Sequence, residues 1–464
     1  MYDVAIIGAG PAGLFAAQRL ARAKLKVIVV DKGKDILKRK CKIGLSKLGC
    51  MKCKPCDIMS GIGGAGAFSD GKLNLSPDIG MFLDEIGITR EEAETRIQEV
   101  DQILLGCGVP DKLYGKSSRV NEWLKRTQKV DNLIKNNNDG GMVRLIPALQ
   151  RHIGSDNTPN VINNLKQQIL RLGGEFKTGF EVQEILKNSS FYIKGGNKII
   201  QSKYLIVAPG RGGAYWFRDI AHRLGIKTKF GPIDVGVRVE LLAKDMDEIT
   251  KVIYDPKFWI DTPSYDDRVR TFCTNPRGFV TMEQIDGSLL VNGHAMRNKR
   301  SKNTNFALLY TINLTEPVVD TTMFGKRLAS SANFIAAGKV ILQLLGDLKR
   351  GRRTHASYMR SNEVKPTLSP VCYGDLGLAF NYRIINNLLE ALDILNMVIP
   401  GISKDSTLLY APEVKFYDTR YETTGLETNV KGLYVAGDGC GKSRGIIGAA
   451  MTGMIAAEQI LKKT

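Results

Sequence analysis

Residues 2–13 read Tyr-Asp-Val-Ala-Ile-Ile-Gly-Ala-Gly-Pro-Ala-Gly, an apolar run followed directly by a G-x-G-x-x-G pattern. Such a short apolar run is typical of a central parallel strand, and the Ala- and Leu-rich residues 14–23 predict a helix after it. A second apolar run, residues 26–30, ends at Asp31. This order of strand, glycine turn, helix, strand and acid predicts a dinucleotide-binding βαβ unit.

Each residue of this pattern has its own task. Gly8 permits the tight turn, Gly10 lets the backbone approach a pyrophosphate, and Gly13 lets helix and strand pack closely. The helix N-terminus offers N–H groups and a positive dipole, and the Asp31 carboxylate can accept hydrogen bonds from ribose hydroxyls. The predicted dinucleotide contacts of this region are Gly8, Gly10, Pro11, Ala12, Gly13, Asp31 and Lys32.

The far end of the chain favours FAD over NAD. Residues 428–438 read as a strand ending in Gly-Asp, and residues 445–450, Gly-Ile-Ile-Gly-Ala-Ala, open a small-residue helix that runs to 461. The arrangement resembles the segment that completes the FAD site in flavoproteins with two dinucleotide-binding domains. Residues 204–210 resemble another turn of those proteins. The predicted contacts here are Ala208, Pro209, Gly210, Gly437, Asp438, Gly445, Ile446, Gly448 and Ala449.

Four further segments extend this resemblance, at residues 61–73, 151–156, 231–240 and 346–348. Together they are similar to the FAD-dependent dehydrogenases of bacteria and archaea, whose wider relatives include fumarate reductase, geranylgeranyl reductase and tRNA-modifying flavoproteins. The resemblance makes residues 61–73 a second flavin-contacting loop, although a structural loop in which Asp70 caps a turn is the alternative. Its implied cofactor contacts are Gly64, Ala65, Gly66, Phe68 and Ser69, and its candidate catalytic residues are Asp70 and Lys72.

The pattern predicts an α/β protein with two domains. A Rossmann-like FAD-binding domain, with a parallel sheet and a β-meander, would be built from residues 1–224 and 406–464 and would include a Cys-rich and Gly-rich loop at 38–76. An inserted α+β substrate domain with an antiparallel sheet would occupy residues 225–405. The predicted meander strands are 175–185, 191–194 and 198–202; the substrate domain has predicted strands at 235–242, 279–283, 288–293 and 306–314 and predicted helices at 324–348 and 382–395.

Four of the eight cysteines fall close together, at Cys41, Cys50, Cys53 and Cys56. The last three have the local spacing of an iron–sulfur ligand run, and zinc also uses C-x2-C pairs. Lysines around them favour the thiolate form. An iron–sulfur cluster, a zinc site, and metal-free thiols or a reversible disulfide all remain open.

The second domain offers fewer candidates. Of the four histidines, His294 is the one we expect as an acid or base in a pocket. Arg238 and Arg277 are candidates to bind an anionic substrate, and ordinary ion pairing is the alternative. No second G-x-G-x-x-G follows a strand, so the electron donor is either NAD(P)H without a dedicated domain or a protein.

The composition sets the remaining expectations. Hydrophobic residues make up 43% and charged residues 24% of the 464 residues, which indicates a globular protein. The net charge of +19 favours anionic partners or a solvated basic surface. Without a signal peptide or a membrane span, a cytoplasmic location is expected.

Three functions follow from these features. The first is an FAD-dependent oxidoreductase that passes hydride or electrons through flavin N5 to or from a small molecule. The second is a flavin-dependent RNA-modifying protein, motivated by the charge and the wider relatives. The third is a non-catalytic flavin and iron–sulfur electron carrier, motivated by the cysteines.

Overall fold

The computed structural model describes residues 1–41, 53–136, 140–285, 287–296, 298–315, 320–416 and 419–464. The chain divides into two compact units. Unit 1 comprises Met1–Lys112, Arg151–Gly231 and Tyr417–Thr464, and unit 2 comprises Leu113–Gln150 and Pro232–Phe416.

The elements are numbered in chain order. The strands are β1 (Tyr2–Ile7), β2 (Val27–Asp31), β3 (Lys72–Leu75), β4 (Met142–Ile146), β5 (Leu149–His152), β6 (Glu175–Thr178), β7 (Glu184–Lys187), β8 (Phe191–Gly195), β9 (Lys198–Val207), β10 (Thr228–Phe230), β11 (Ile233–Leu242), β12 (Lys257–Asp261), β13 (Arg268–Asn275), β14 (Phe279–Ile285), β15 (Ser288–His294), β16 (Asn303–Ile312), β17 (Ile341–Leu344), β18 (Cys372–Tyr373), β19 (Leu408–Phe416), β20 (Thr419–Tyr421) and β21 (Leu433–Val435). The helices are α1 (Pro11–Arg22), α2 (Leu83–Ile86), α3 (Arg90–Gly106), α4 (Arg119–Asn136), α5 (Thr158–Arg171), α6 (Ala214–Arg223), α7 (Ala243–Thr250), α8 (Thr321–Ile335), α9 (Leu345–Lys349), α10 (Ala356–Ser361), α11 (Tyr382–Val398) and α12 (Gly445–Leu461).

Unit 1 is built on a mixed sheet. Strands β6, β2, β1, β9 and β21 pair in parallel in that order, with β1 between β2 and β9. The long strand β9 has two partners on its other side, since residues 198–202 pair with β8 and residues 205–207 pair with β21. Strands β7, β8 and β9 form an antiparallel meander. The α/β fold with a Rossmann-like sheet and a meander is therefore confirmed.

Two helices from opposite ends of the chain pack together in unit 1. Helix α12 contains Gly, Ala and Thr at many positions, and almost all of it is buried. A Cβ atom on Gly453 would lie 2.0 Å from the carbonyl oxygen of Ala12 in α1, so the two backbones are in direct contact. Within the described ranges, no helix is long and apolar enough to cross a bilayer.

Unit 2 is built on an eight-stranded sheet in the order β18-β17-β19-β11-β16-β13-β12-β4. All of its pairings are antiparallel except that between β17 and β18. Along β11 the side chains alternate, with Val235 and Val237 in the apolar core and Arg238 and Glu240 on the other face. Both faces of this strand are buried, so its charged side chains need partners within the protein.

The compact units differ from the predicted domain boundaries at three places, and residues 225–231 are the first, since they belong to unit 1. Residues 113–150 belong to unit 2 because β4 is the edge strand of its sheet, paired with β12. Residues 406–416 also belong to unit 2 because β19 pairs with β11 and β17. Pairing between strands distant in the chain is not visible in a local apolar pattern.

Two predicted elements were wrong in extent. The first meander strand, 175–185, is two strands, because Gly179 at φ +67° ends β6 before the chain enters β7. The helix predicted at 324–348 ends with α8, where Ala337 and Gly338 adopt left-handed conformations. The residues after them form the buried strand β17 and then α9.

The predicted strands of the substrate domain are present, but they do not form one sheet. Residues 235–242 and 306–314 correspond to β11 and β16, which are neighbours in the large sheet. Residues 279–283 and 288–293 correspond to β14 and β15, which pair only with each other as a hairpin among the described strands.

We expect Gly453→Ala to lower the free energy of unfolding by about 1–3 kcal/mol, because the added methyl overpacks the contact between α1 and α12. The control is Gly106→Ala at the end of α3, where a Cβ has no described atom within 4 Å. That change should be neutral or stabilising by about 0.5–1 kcal/mol. Urea unfolding of both variants measures the difference, and equal stabilities would contradict the close contact.

Candidate functional site

Three glycines shape the turn between β1 and α1. Gly8 has φ +100°, and a Cβ on it would lie 2.0 Å from the carbonyl oxygen of Ala208. A Cβ on Gly13 would lie 1.9 Å from the carbonyl oxygen of Gly8. Gly10 is the N-cap residue of α1 and has no side-chain cap among the described residues. The first N–H groups of α1 are thus free of side-chain caps and can bind an anion.

The second glycine-rich loop lies against this turn. The amide of Gly63 donates to the carbonyl oxygen of Ala9 at 2.7 Å, and a Cβ on Gly64 would lie 2.9 Å from Cα of Gly10. Residues Gly64–Phe68, which include Ala65, form a short 3-10 helix. The hydroxyl of Ser69 closes it by donating to the carbonyl oxygen of Gly66 at 2.8 Å. The structure therefore brings the two glycine-rich loops together.

Asp31 at the end of β2 holds the turn and keeps the capacity to bind more. One carboxylate oxygen accepts from the Ala9 amide at 2.9 Å, and the other accepts from the Gly33 amide at 2.8 Å. Each oxygen has a second lone pair, so both can accept further hydrogen bonds from ribose hydroxyls. Lys32, beside it, is half-buried.

The segments at residues 208–210 and 437–449 meet at the same side of unit 1. A Cβ on Gly439 would lie 2.1 Å from the carbonyl oxygen of Gly210, and one on Gly437 would lie 3.2 Å from Cβ of Ala12. Close approach of backbones again requires glycine here. The remaining predicted contacts at this end are Pro209 in the turn and Ile446, Gly448 and Ala449 in the first turns of α12.

Asp438 is the second carboxylate of the site. One of its oxygens accepts from the Ser443 hydroxyl at 2.9 Å, and the other accepts from the Gly445 amide at 3.1 Å. Burial raises the pKa of Asp438 above the usual value, while the nearby Arg444 and Arg211 guanidinium groups act in the opposite sense. Arg211, Ser443 and Arg444 were missed by sequence reasoning. Their position next to the predicted turns was the signal that could have found them.

Three glycines of the candidate site have open space where a Cβ atom would lie. A Cβ on Gly210 or Gly445 would have no described atom within 4 Å, and one on Gly10 would come no closer than 3.9 Å to any. These positions do not need glycine for packing, in contrast to Gly8 and Gly13. The left-handed φ of Gly210 (+58°) and Gly445 (+81°) already favours glycine, so it is Gly10, at φ −74°, that fits a ligand approaching the backbone.

The donor and acceptor groups also suit a dinucleotide. Two helix N-termini, those of α1 and α12, can bind phosphate oxygens through their N–H groups and dipoles, with the first amide of α12 already bonded to Asp438 at 3.1 Å. Two carboxylates, Asp31 and Asp438, can accept from hydroxyl groups of ribose and ribityl chains. The residues of unit 1 therefore fit FAD.

The family comparison decides the cofactor. Residues 2–214 match the family model of the pyridine nucleotide-disulphide oxidoreductases. Residues 232–416 match the model described as "FAD-dependent protein, C-terminal domain-like". The chain is an FAD-binding flavoprotein of the oxidoreductase type. The second match in this flavoprotein coincides with the longer segment of unit 2.

Similar proteins add little about activity. An uncharacterized protein of Clostridium beijerinckii is 25% identical to this flavoprotein over 484 residues, covering 99% of this chain and 80% of that protein. One of Methanosarcina barkeri is 64% identical over 31 residues, 7% of this chain and 8% of that protein. Glycine oxidase from Geobacillus kaustophilus is 13% identical with a TM-score of 0.41, covering 100% of this chain and 95% of that structure. A flavoprotein/dehydrogenase from Cytophaga hutchinsonii is 11% identical with a TM-score of 0.39, covering 100% and 78%.

The predicted catalytic residues lie in both units. Lys72 forms an ion pair with Asp70 at 2.7 Å, and both side chains are only 6% exposed. Because the carboxylate offsets the ammonium charge, Lys72 does not act as an isolated cation. His294 is half-buried at the end of β15 in unit 2. The catalytic roles of these three residues stay predictions.

The cysteine prediction is tested only in part of the cluster. Cys41 and Cys53 are exposed and Cys56 is half-buried, whereas Cys50 lies outside the described residues. No group of three or more His, Cys, Asp or Glu side chains within the described ranges could hold a metal ion. The metal site at Cys41, Cys50, Cys53 and Cys56 stays a prediction.

The two candidate substrate arginines are both paired within unit 2. Arg238 is fully buried, and its guanidinium forms two hydrogen bonds with the equally buried Glu413 at 2.8 and 2.6 Å. Its remaining donors bind acceptors on Cys273, Asn292 and Asn305. Arg277 pairs with Asp247 and keeps 39% of its side chain exposed. For Arg238 the contacts favour the alternative of ordinary ion pairing, because its charge is already compensated within unit 2.

We expect Arg238→Met to lower the free energy of unfolding by about 3 kcal/mol, because it removes the two guanidinium hydrogen bonds of the buried Glu413 and leaves only Lys415, at 3.0 Å, as its cationic partner. The matched change Arg277→Met removes an exposed pair and should cost about 0–1 kcal/mol. Chemical denaturation compares the two variants. A wild-type stability for Arg238→Met would contradict the buried pair.

The open glycines give a sharper prediction for the cofactor site. Gly10 has φ −74°, which alanine adopts readily, so Gly10→Ala should leave the FAD-free protein as stable as the wild type. The methyl group would occupy the space proposed for the pyrophosphate and weaken FAD binding by about 1–3 kcal/mol, or about 5- to 150-fold in Kd.

Fluorescence titration with FAD and thermal unfolding of the FAD-free form measure the two effects separately. Gly106→Ala again serves as the control, with both properties unchanged. An unaltered Kd for FAD in Gly10→Ala would show that the pyrophosphate does not bind at this turn.

Proposed function

We propose that this flavoprotein is an FAD-dependent dehydrogenase or reductase acting on a small molecule. The observation that carries the proposal is the meeting of two helix N-termini and two carboxylates around glycine backbones in unit 1. The family models at residues 2–214 and 232–416 support the same conclusion.

Different residues of unit 1 would bind different parts of the cofactor. The N-terminus of α1, reached through Gly10, would bind the pyrophosphate, and Asp31 would accept hydrogen bonds from the adenosine ribose. Asp438 would bind the ribityl chain, and the start of α12 would place its positive dipole near the pyrophosphate or the flavin edge. The loop Gly64–Phe68 would contact the flavin.

When bound, FAD supplies hydride or electron transfer at its N5 atom. The residues proposed to support this chemistry are Lys72, Asp70 and His294. The ion pair of Lys72 and Asp70 keeps the ammonium group oriented in a buried setting. His294 is the proposed group that gives or takes a proton from the substrate.

An anionic substrate is the finer part of the proposal. With Arg238 committed to Glu413, the support comes from the exposed part of Arg277 and from the net charge of +19. A positively charged protein raises the local concentration of anions at its surface.

The basic run at residues 349–353 does not favour an RNA substrate. Lys349 lies 2.8 Å from Asp393, and Arg352 lies 2.8 Å from Asp347. Arg350 pairs with Asp405, and Arg353 donates to the carbonyl oxygen of Tyr373. Because three of its four cations pair with carboxylates, this run carries less positive potential than its sequence suggests.

The first experiment is an absorption spectrum of the anaerobically purified full-length protein, with metal analysis of the same sample. We expect the visible bands of oxidised flavin and, after denaturation, release of FAD. A protein that neither contains flavin nor takes up added FAD would overturn the proposal.

Additions of NADH and NADPH then address the electron donor. Bleaching of the flavin bands by either would identify a nicotinamide donor, and no bleaching by either would direct the search to a protein donor. Iron or zinc in the sample would assign a metal to the cysteine cluster, which the proposal does not require.

A further inference from the structure

Arg39 lies just before the cysteine-rich segment, and its side chain is directed into unit 1. The residue is only 4% exposed, which is rare for arginine. A buried guanidinium is stable only where its N–H groups find acceptors. Arg39 therefore has to be explained by what it binds.

The guanidinium donates to four backbone carbonyl oxygens. Nε donates to Asp57 at 2.9 Å, and Nη1 donates to Ile62 at 2.6 Å. Nη2 donates to Ile58 at 2.8 Å and to Gly64 at 2.9 Å. The acceptors thus fall in two groups, one directly after Cys56 and one in the glycine-rich loop.

An aromatic ring covers the same group. The central guanidinium carbon of Arg39 lies 4.7 Å from the ring centroid of Phe68, within the range of a cation–π contact. Burial lowers the pKa of Arg39 to about 10, so the side chain is still a cation at neutral pH. The planar fork is bound both in its plane and over its face, a geometry that a lysine ammonium cannot reproduce.

These contacts determine the shape of the loop that meets the dinucleotide turn. Gly64, whose carbonyl Arg39 binds, backs directly onto Gly10. Gly63 and Ile62 are fixed on the other side by bonds to Ala9 and Lys34. A shift of Arg39 would therefore move the loop Gly64–Phe68 relative to the start of α1.

We propose that Arg39 is a positioning residue for FAD, which ties the backbone at Asp57 and Ile58 to the flavin-contacting loop. The inference rests on the proposed FAD site. It adds the residue that holds the loop Gly64–Phe68 in place against the start of α1.

The test uses Arg39→Lys and Arg39→Met in the full-length protein. The control is Arg96→Met, which removes a half-buried arginine that pairs with Glu458 at 2.9 Å in the same unit. The Kd for FAD, the flavin absorption and visible circular dichroism spectra, and the melting temperature of the FAD-free form are measured for each.

Both Arg39 variants should raise the Kd for FAD by about tenfold or more, the equivalent of about one net hydrogen bond to a charged group. Both should also shift the flavin spectra, and lysine should not rescue either property. Arg96→Met should lower the melting temperature while leaving the Kd and the spectra at wild-type values.

Two outcomes would overturn the proposal. Wild-type Kd and spectra in Arg39→Lys would show that the fork of bonds does not position the cofactor loop, even if Arg39→Met fails to fold. Parallel changes in Arg39→Met and Arg96→Met would reduce Arg39 to a stabilising residue. Failure of the wild type itself to bind FAD would instead overturn the proposed function.

Discussion

Direct contact between backbones around the start of α1 is the constraint on which unit 1 depends. A side chain on Gly13 would collide with Gly8, one on Gly8 with Ala208, and one on Gly453 with Ala12. These contacts join segments from both ends of the chain. Because interiors are packed to crystal density, no rearrangement of neighbours accommodates an added carbon at 2.0 Å without moving a backbone. These contacts bring two helix N-termini to one place, which is the proposed cofactor site.

Charge is handled differently in the two units. In unit 1, carboxylates such as Asp31 accept from backbone amides and keep lone pairs for a ligand. In unit 2, Arg238 and Glu413 neutralise each other inside the sheet, because a buried ion without a partner is far more costly than a buried pair. Arg39 stands between these cases, as a buried cation satisfied by carbonyl oxygens. Its hydrogen bonds fix the conformation of a loop.

Local patterns predicted the parts of the fold that depend on local chemistry. The apolar run before Gly8 and the small-residue run after Gly445 became β1 and α12. The same reasoning extended one helix across 324–348, where left-handed residues at 337 and 338 turn the chain into β17. It also assigned residues 113–150 to the FAD-binding domain, whereas they lie in unit 2. The pairing of β4 with β12 that places them there cannot be recognised from either sequence.

The sequence by itself determined the dinucleotide turn, because glycine at positions 8, 10 and 13 and an acid at 31 are each required by covalent geometry or by ligand chemistry. It also determined the α/β class through the periods of its apolar residues. Only the tertiary structure decided which charges stay available. Arg238 and Arg277 look alike in the sequence. In the structure, Arg238 is buried in an ion pair with Glu413, whereas Arg277, paired with Asp247, keeps part of its side chain exposed to solvent. The physical reason is that a charge acts through what surrounds it, and those neighbours come from distant parts of the chain.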